Sequence, residues 1–318
     1  MSIFSNKRNH QDPVLAGTSG AAGTPDVAAT PGTPGAPGTM GTLGPTRSLR
    51  RVSGLRAVEL GAAAVALFLV LAACFPTLLA PFDPLAINPA DSFQGPSSKH
   101  WFGTDESGRD IYSRVIHGAR PSLLIGAAAT AIGVGLALVL GTLAGLGGRW
   151  LDFGVGRILE VLFALPGLLL ALVFIALAGP GITTSVVAVG LSTAPGYARI
   201  IRGQISQVRS SAMVEAAVVL GRRPAQVLFR HILPNALSPV FVLGTLGLGQ
   251  AVVWASSLSF LGLGAPPPAA EWGAMLAAGR TYLGTAWWMT FFPGVAIVLT
   301  AASSTVLGRA LQRRVAGR

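Results

Sequence analysis

Charged residues are absent from five long stretches of the chain: 60–80, 121–148, 161–198, 233–270 and 281–308 hold no Asp, Glu, Lys or Arg. A helix that crosses a bilayer needs about 20 apolar residues, so each stretch has room for at least one span. The third is cut by Gly179-Pro180-Gly181 and divides into an antiparallel pair near 158–178 and 183–201. The fourth opens on Leu233-Pro234 and Ser238-Pro239 and closes on Pro266-Pro267-Pro268, which leaves space for one span. The pattern predicts an all-α membrane protein with six transmembrane helices. The first occupies 57–80 and the other five lie in a core at 121–312 that carries a cytoplasmic loop over 203–235. Residues 81–120 form a long extracytoplasmic loop. From Asp105 to Arg120, Ile111, Val115 and Ile116 share one helical face, the pattern of a helix lying on the membrane.

Composition agrees. Only 11% of the 318 residues are charged and 51% are hydrophobic, against about 25% charged in soluble domains. The first 56 residues are different material, rich in Gly, Pro, Thr and Ala. They offer too little apolar surface to offset ordering entropy, so a disordered cytoplasmic tail is expected. The net charge is +11. If 1–59, 147–160, 199–235 and 309–318 face the cytoplasm, the opposite side keeps only Lys99, Arg109, Arg114, Arg120 and Arg280. The positive-inside rule then gives both termini inside, with a basic tail at 313–318. Topology accounts for the basic excess without nucleic acid.

The chain lacks the signatures of enzyme chemistry. Its two lysines, Lys7 and Lys99, follow Asn6 and Ser98, so no Gly-Lys-Ser/Thr phosphate loop is present. The four histidines show no HExxH spacing, and there is no GxSxG elbow. Cys74 is the single cysteine, which excludes an internal disulfide and a cysteine-based metal site. No catalytic or metal-binding residue is assigned. Glu59 and Glu160 sit at span ends beside Arg56 and Arg157, where interfacial ion pairs are expected rather than an ion-translocating acid. Transport by such a chain draws its energy from a partner.

The segment 199–235 carries the sharpest signal. Met213 to Leu220 reads as a short helix, Gly221 suits the left-handed turn that ends it, and Pro224 suits the first turn of the next. Ala216 and Ala217 give a low profile that another protein can approach. Glu215-Ala216-Ala217, Gly221 and His231-Ile232-Leu233-Pro234-Asn235 in this spacing resemble the EAA loop of ABC importer permeases, in the version of the peptide and nickel branch, DppC/OppC type. The same branch is matched by Trp101-Phe102-Gly103-Thr104-Asp105 with Gly108-Arg109-Asp110, by Gly118-Ala119-Arg120, by Pro195-Gly196-Tyr197-Ala198-Arg199, and by Leu258-Ser259-Phe260-Leu261-Gly262-Leu263-Gly264. Two features depart from it. A glutamate common before the Leu-Ser-Phe is replaced by Trp254-Ala255-Ser256-Ser257, and the usual Leu-Asp-Pro near the C-terminus gives way to Arg313-Arg314-Val315.

The resemblance implies a type I importer permease fold in a bacterial cytoplasmic membrane. It further implies a homologous second permease of the DppB/OppB type, two ATPase subunits of the DppD/DppF type, and an extracytoplasmic substrate-binding protein. ATP and Mg belong to the ATPases, so this chain needs no cofactor. Glu215, Ala216, Ala217 and Gly221 are the expected coupling element, with Arg222 and Arg223 facing acidic patches of the ATPase. For the path, Thr193, Gln250, Ser256, Ser257 and Ser259 supply uncharged polarity, Gln250 foremost because its amide both donates and accepts. Asp105, Arg109 and Asp110 are candidates for docking the binding protein or for a salt-bridge network that fixes the loop. Trp272, Tyr282, Trp287 and Trp288 read as an aromatic belt at the outer interface. The expected substrate is a di- or oligopeptide, with nickel chelates and glutathione as alternatives in the same branch. A secondary transporter would carry an acid at mid-membrane or an inverted repeat, and the sequence offers neither. A structural membrane protein would not need the EAA-like loop.

Overall fold

A computed structural model describes residues 46–316 apart from 237. The expected disordered tail up to residue 45 and the end of the basic tail, Gly317 and Arg318, lie outside the described residues. Among the described residues the chain is helical, with one isolated bridge, Thr104 to Asp110, and no strand. Helix α1 spans Thr46–Cys74 and so begins well before position 57. No proline interrupts the chain between Pro45 and Pro76, and its Arg, Leu and Ala residues favour helix. A short α2, Pro76–Leu79, follows.

The next helix, α3, runs unbroken over Ile111–Leu146. This corrects the expectation of a separate surface helix before residue 121: the face formed by Ile111, Val115 and Ile116 is the buried start of a long helix. Asp110 caps it, accepting from the backbone N–H of Ser113 at 2.8 Å and from its hydroxyl at 2.7 Å. Pro121 does not end the helix.

A second correction concerns the third apolar stretch. It forms α4, Arg149–Phe163, and α5, Gly167–Ala178, bent by 91° at the intervening break, rather than one span over 158–178. Pro166 stands at the N-cap of α5, where its ring fits the start of a helix but not its interior. Gly179, at φ 86°, turns the chain into α6, Ile182–Arg209. There follow α7, Ala212–Val219, α8, Pro224–Val227, a π turn at Leu228–Ile232, and α9, Leu233–Ala236. The remaining elements are α10, Ser238–Phe260, α11, Trp272–Gly279, and α12, Trp288–Ala316.

Four helical stretches among the described residues are long and apolar enough to cross a membrane: Arg56–Cys74, Ile111–Leu146, Pro224–Phe260 and Trp288–Arg314. The bent α4–α5 pair makes a fifth when counted as one span. Helix α6 has the length, but Thr183, Thr184, Ser185, Ser192, Thr193 and Arg199 dilute its apolar character.

Small residues set the packing of α3 on α6. A Cβ added to Gly133 would lie 2.5 Å from Thr193 Oγ1, and one added to Gly141 would lie 2.9 Å from the Ala198 carbonyl and from Ile201. Without a hydrophobic force between helices in lipid, such close approach supplies the dispersion contacts that hold them.

Two tryptophans expected in an aromatic belt are core instead. Trp272 is fully buried and donates its indole N–H to the Val115 carbonyl at 2.9 Å. Trp288 is buried and donates to the Thr104 carbonyl at 2.9 Å, pinning the 81–110 segment to the start of α12. Trp287 is half exposed and Tyr282 partly buried. Aromatic composition marks the region; only packing decides which ring turns inward. Trp272→Ala is expected to destabilise the protein by about 3–5 kcal/mol, and Trp287→Ala by under about 0.5 kcal/mol; thermal unfolding of the two purified variants in one detergent checks the contrast.

Candidate functional site

Helix α6 runs out at Arg209, and Ser210 and Ser211 turn the chain into α7. On α7, Val214 and Ala217 lie one turn apart and face inward, joining Ile201, Ile205, Val227 and Ile232 in one buried cluster. Ala217 is therefore not part of the low-profile outer surface expected from sequence. Glu215 and Ala216 do face outward.

The turn after α7 is a Schellman motif. Gly221 sits at φ 71°, its N–H donates to the Val218 carbonyl at 2.9 Å, and the Arg222 N–H reaches back to the Ala217 carbonyl at 3.2 Å. A side chain there would be strained by the backbone alone, since nothing stands within 4 Å of its Cβ. The turn holds Val219 and Leu220 out at 81% and 77% exposure, and Phe229, nine residues on in the π turn, is 67% exposed. Arg222 and Arg223 are exposed, with no ion pair among the described residues. Exposed apolar residues rimmed by charge are the form of a protein-docking surface.

At the α4–α5 break a cavity of 690 Å³ opens against α6 and α10. Phe163, Pro166, Thr193, Tyr197, Gln250 and Trp254 are among its walls. Arg199 also lines it and stacks its guanidinium over the Phe163 ring at 4.4 Å. Of the expected path residues, Gln250 is exposed toward this space. Thr193 lines it too, but its hydroxyl donates to the Val189 and Gly190 carbonyls of its own helix. The serines are placed elsewhere: Ser256 and Ser259 are buried, and the Ser257 hydroxyl bonds back to Val253.

Ser259 leads to a residue that sequence reading passed over. Glu271 is 3% exposed and caps α11, accepting from the backbone N–H of Gly273 at 2.8 Å and of Ala274 at 2.9 Å. It also accepts from the Ser259 hydroxyl at 2.5 Å and from Ser122 at 3.4 Å, so one carboxylate ties α3, α10 and α11 together. An acid three residues after a proline run and directly before a helical stretch is the available signal.

The candidate docking residues of the 81–120 segment are buried rather than presented. Arg109 Nε pairs with Asp105 at 2.7 Å, and Asp110 holds His100 Nδ1 at 2.9 Å while capping α3. They form the local network that fixes the loop. At its rim, the hydrogen bond from Lys99 holds the Asp91 carboxyl below the usual carboxylate range, so that contribution is present at neutral pH and is lost as pH falls through the depressed value. Of the expected interfacial pairs, Arg157–Glu160 forms at 3.1 Å, whereas Glu59 reaches Arg313 at 2.6 Å instead of Arg56.

Residues 137–317 match the family model described as the binding-protein-dependent transport system inner membrane component. The chain belongs to this family. It is 38% identical over 243 residues to the dipeptide transport system permease protein DppC of Alkalihalophilus pseudofirmus, covering 76% of this chain and 80% of that one. It is 42% identical over 269 residues to the glutathione transport system permease protein GsiD of Salmonella typhimurium, covering 84% and 89%. Among solved structures, an amino acid ABC transporter with histidines aligns with TM-score 0.51 at 20% identity over 64% of this chain and 94% of that chain. The inward-facing MetNI methionine ABC transporter aligns at 0.53 and 19% over 64% and 97%. The fold is thus that of ABC transporter permeases. The chain is a non-catalytic, multi-pass permease subunit of an ABC importer, a system that requires a partner permease, an ATPase and a substrate-binding protein.

Glu271→Ala removes the acceptor from two backbone N–H groups and two buried hydroxyls. It is expected to cost about 1–3 kcal/mol and to lower the thermal midpoint of this permease in detergent, while Glu271→Gln, which keeps one acceptor oxygen, is expected to fall between.

Proposed function

We propose that this permease is the DppC/OppC-type half of the translocation path of a di- or oligopeptide importer in the bacterial cytoplasmic membrane, with six spans and both termini inside. The bent α4–α5 pair and α6 supply the third and fourth spans in this reading. A DppB/OppB-type permease completes the path, and two DppD/DppF-type ATPases carry ATP and Mg, leaving this chain without a cofactor. The observation that carries the proposal is the surface at α7: a short helix anchored by Val214 and Ala217 in an apolar cluster shared with α6, ended by the Schellman turn at Gly221, and presenting Glu215, Ala216, Val219 and Leu220 outward. In this role Gly221 sets the angle of the docking surface, and Arg222 and Arg223 meet acidic groups of the ATPase. Gln250 and Thr193 line the path at the cavity beside the α4–α5 break. Peptide amides are matched by an uncharged side-chain amide that donates and accepts without trapping the substrate.

Glutathione is the second reading, supported by the GsiD relative at 42% identity. It shares the machinery and differs only in cargo, so uptake of labelled dipeptide and labelled glutathione by the reconstituted complex separates the two.

The coupling reading is tested by affinity capture of the tagged permease from membranes in mild detergent. Wild type is expected to bring down both ATPase chains and the second permease. Gly221→Asp and Leu220→Asp are expected to retain the second permease and lose the ATPases by tenfold or more. Full ATPase recovery with both variants contradicts the role of this surface.

A further inference from the structure

Arg56 on α1 and Arg314 on α12 stand at the same end of the α1–α12 pair, each just outside an uncharged stretch, 60–80 and 281–308. Between these ends lies a groove of 840 Å³ lined by Arg56, Glu59, Leu60, Ala63, Leu307, Ala310, Leu311 and Arg314. Its charge is one-sided. Glu59, the single acid in the lining, is already paired with Arg313 at 2.6 Å. Arg56 and Arg314 are both exposed, and neither has a carboxylate at ion-pair distance among the described residues. Beyond the charged rim the walls are wholly apolar. Ala63 lies seven residues from Arg56, and Leu307 seven from Arg314, so each wall descends two helical turns, about 10 Å at 1.5 Å per residue.

We propose that this groove binds one anionic phospholipid, its phosphate held by Arg56 and Arg314 and one acyl chain laid along Leu60, Ala63 and Leu307. Guanidinium groups match phosphate oxygens in fork geometry, and basic pockets between membrane helices at the headgroup level suit anionic lipid. The depth of the apolar wall selects the lipid. A soluble phosphate occupies only the rim, and an acidic protein surface does not descend two turns into the hydrocarbon. The site is independent of the coupling surface at α7 and of the cargo.

Back-titration of the delipidated, assembled transporter, read by native mass spectrometry, tests the site with phosphatidylglycerol and phosphatidylcholine of identical acyl chains. The wild type is expected to retain one phosphatidylglycerol at least tenfold more tightly than phosphatidylcholine. Arg56→Gln/Arg314→Gln is expected to abolish the preference, and Arg149→Gln/Arg209→Gln, with the same loss of charge elsewhere, to preserve it. Ala63→Phe fills the apolar wall and leaves both arginines, so it is expected to weaken phosphatidylglycerol while sparing any binding of inorganic phosphate. Equal retention of the two lipids by wild type, unchanged preference in Arg56→Gln/Arg314→Gln, or phosphatidylglycerol binding untouched by Ala63→Phe each overturns the proposal.

Discussion

The distance between α3 and α6 is the constraint on which the rest of the structure depends. In lipid, apolar side chains gain nothing by leaving solvent for one another, so two helices stay together through close dispersion contact. Here glycine on each helix opens the way for the other. Gly133 receives Thr193, Gly141 receives Ala198 and Ile201, and Gly145 receives Ile205, while Gly190 on α6 receives Ile132 of α3. The contact follows α6 from its middle to its last turn. What α6 carries along this contact and at its C-terminal end is thereby fixed relative to α3.

The middle of α6 carries the cavity wall, and its C-terminal end carries the segment proposed for coupling. Thr193, Tyr197 and Arg199 place α6 in the cavity wall, and Arg202, paired with Asp152 at 2.7 Å, ties it to α4 just below. Beyond the end of α6, Val214 and Ala217 of α7 join the buried apolar cluster that also holds Ile201 and Ile205, the residues that meet the α3 glycines. One apolar cluster thus serves both as helix–helix contact and as the mount of the exposed α7 surface proposed for docking. In the proposed importer this makes α3, α6 and α7 a single body, so a push on Leu220 reaches the cavity as a rotation rather than as a local deformation.

How much of this was legible in the sequence depends on whether the information is local. Gly221 was, because a left-handed turn is a property of a few adjacent residues and glycine alone takes it without strain. The network around Asp105, Arg109 and Asp110 was half legible: opposite charges three and four residues apart suggest pairing, but not that Asp105 and Arg109 are buried. Apolar stretches announced the spans without their geometry. Counting apolar residues treats Pro166 as one position among many, whereas the chain breaks there by 91° and opens the cavity. Trp272 and Trp288 read as interfacial because nothing local says that α11 turns a face to α3 or that the start of α12 meets the 81–110 segment. Ser256 and Ser259 read as lumen-lining because Glu271, the acceptor that explains Ser259, is brought to it only by the fold.

The claim that α7 moves with α3 and α6 as one body is open to a direct distance measurement. Spin labels at Val218→Cys on α7 and Leu143→Cys on α3, both half-exposed positions, in a Cys74→Ala background, report their separation in the assembled transporter by pulsed electron paramagnetic resonance. The account predicts one narrow distance distribution, the same without nucleotide and with the ATPases trapped in the ATP-bound state. A shift approaching one helical turn, about 5 Å, between the two states would show that α7 swings independently and would contradict it.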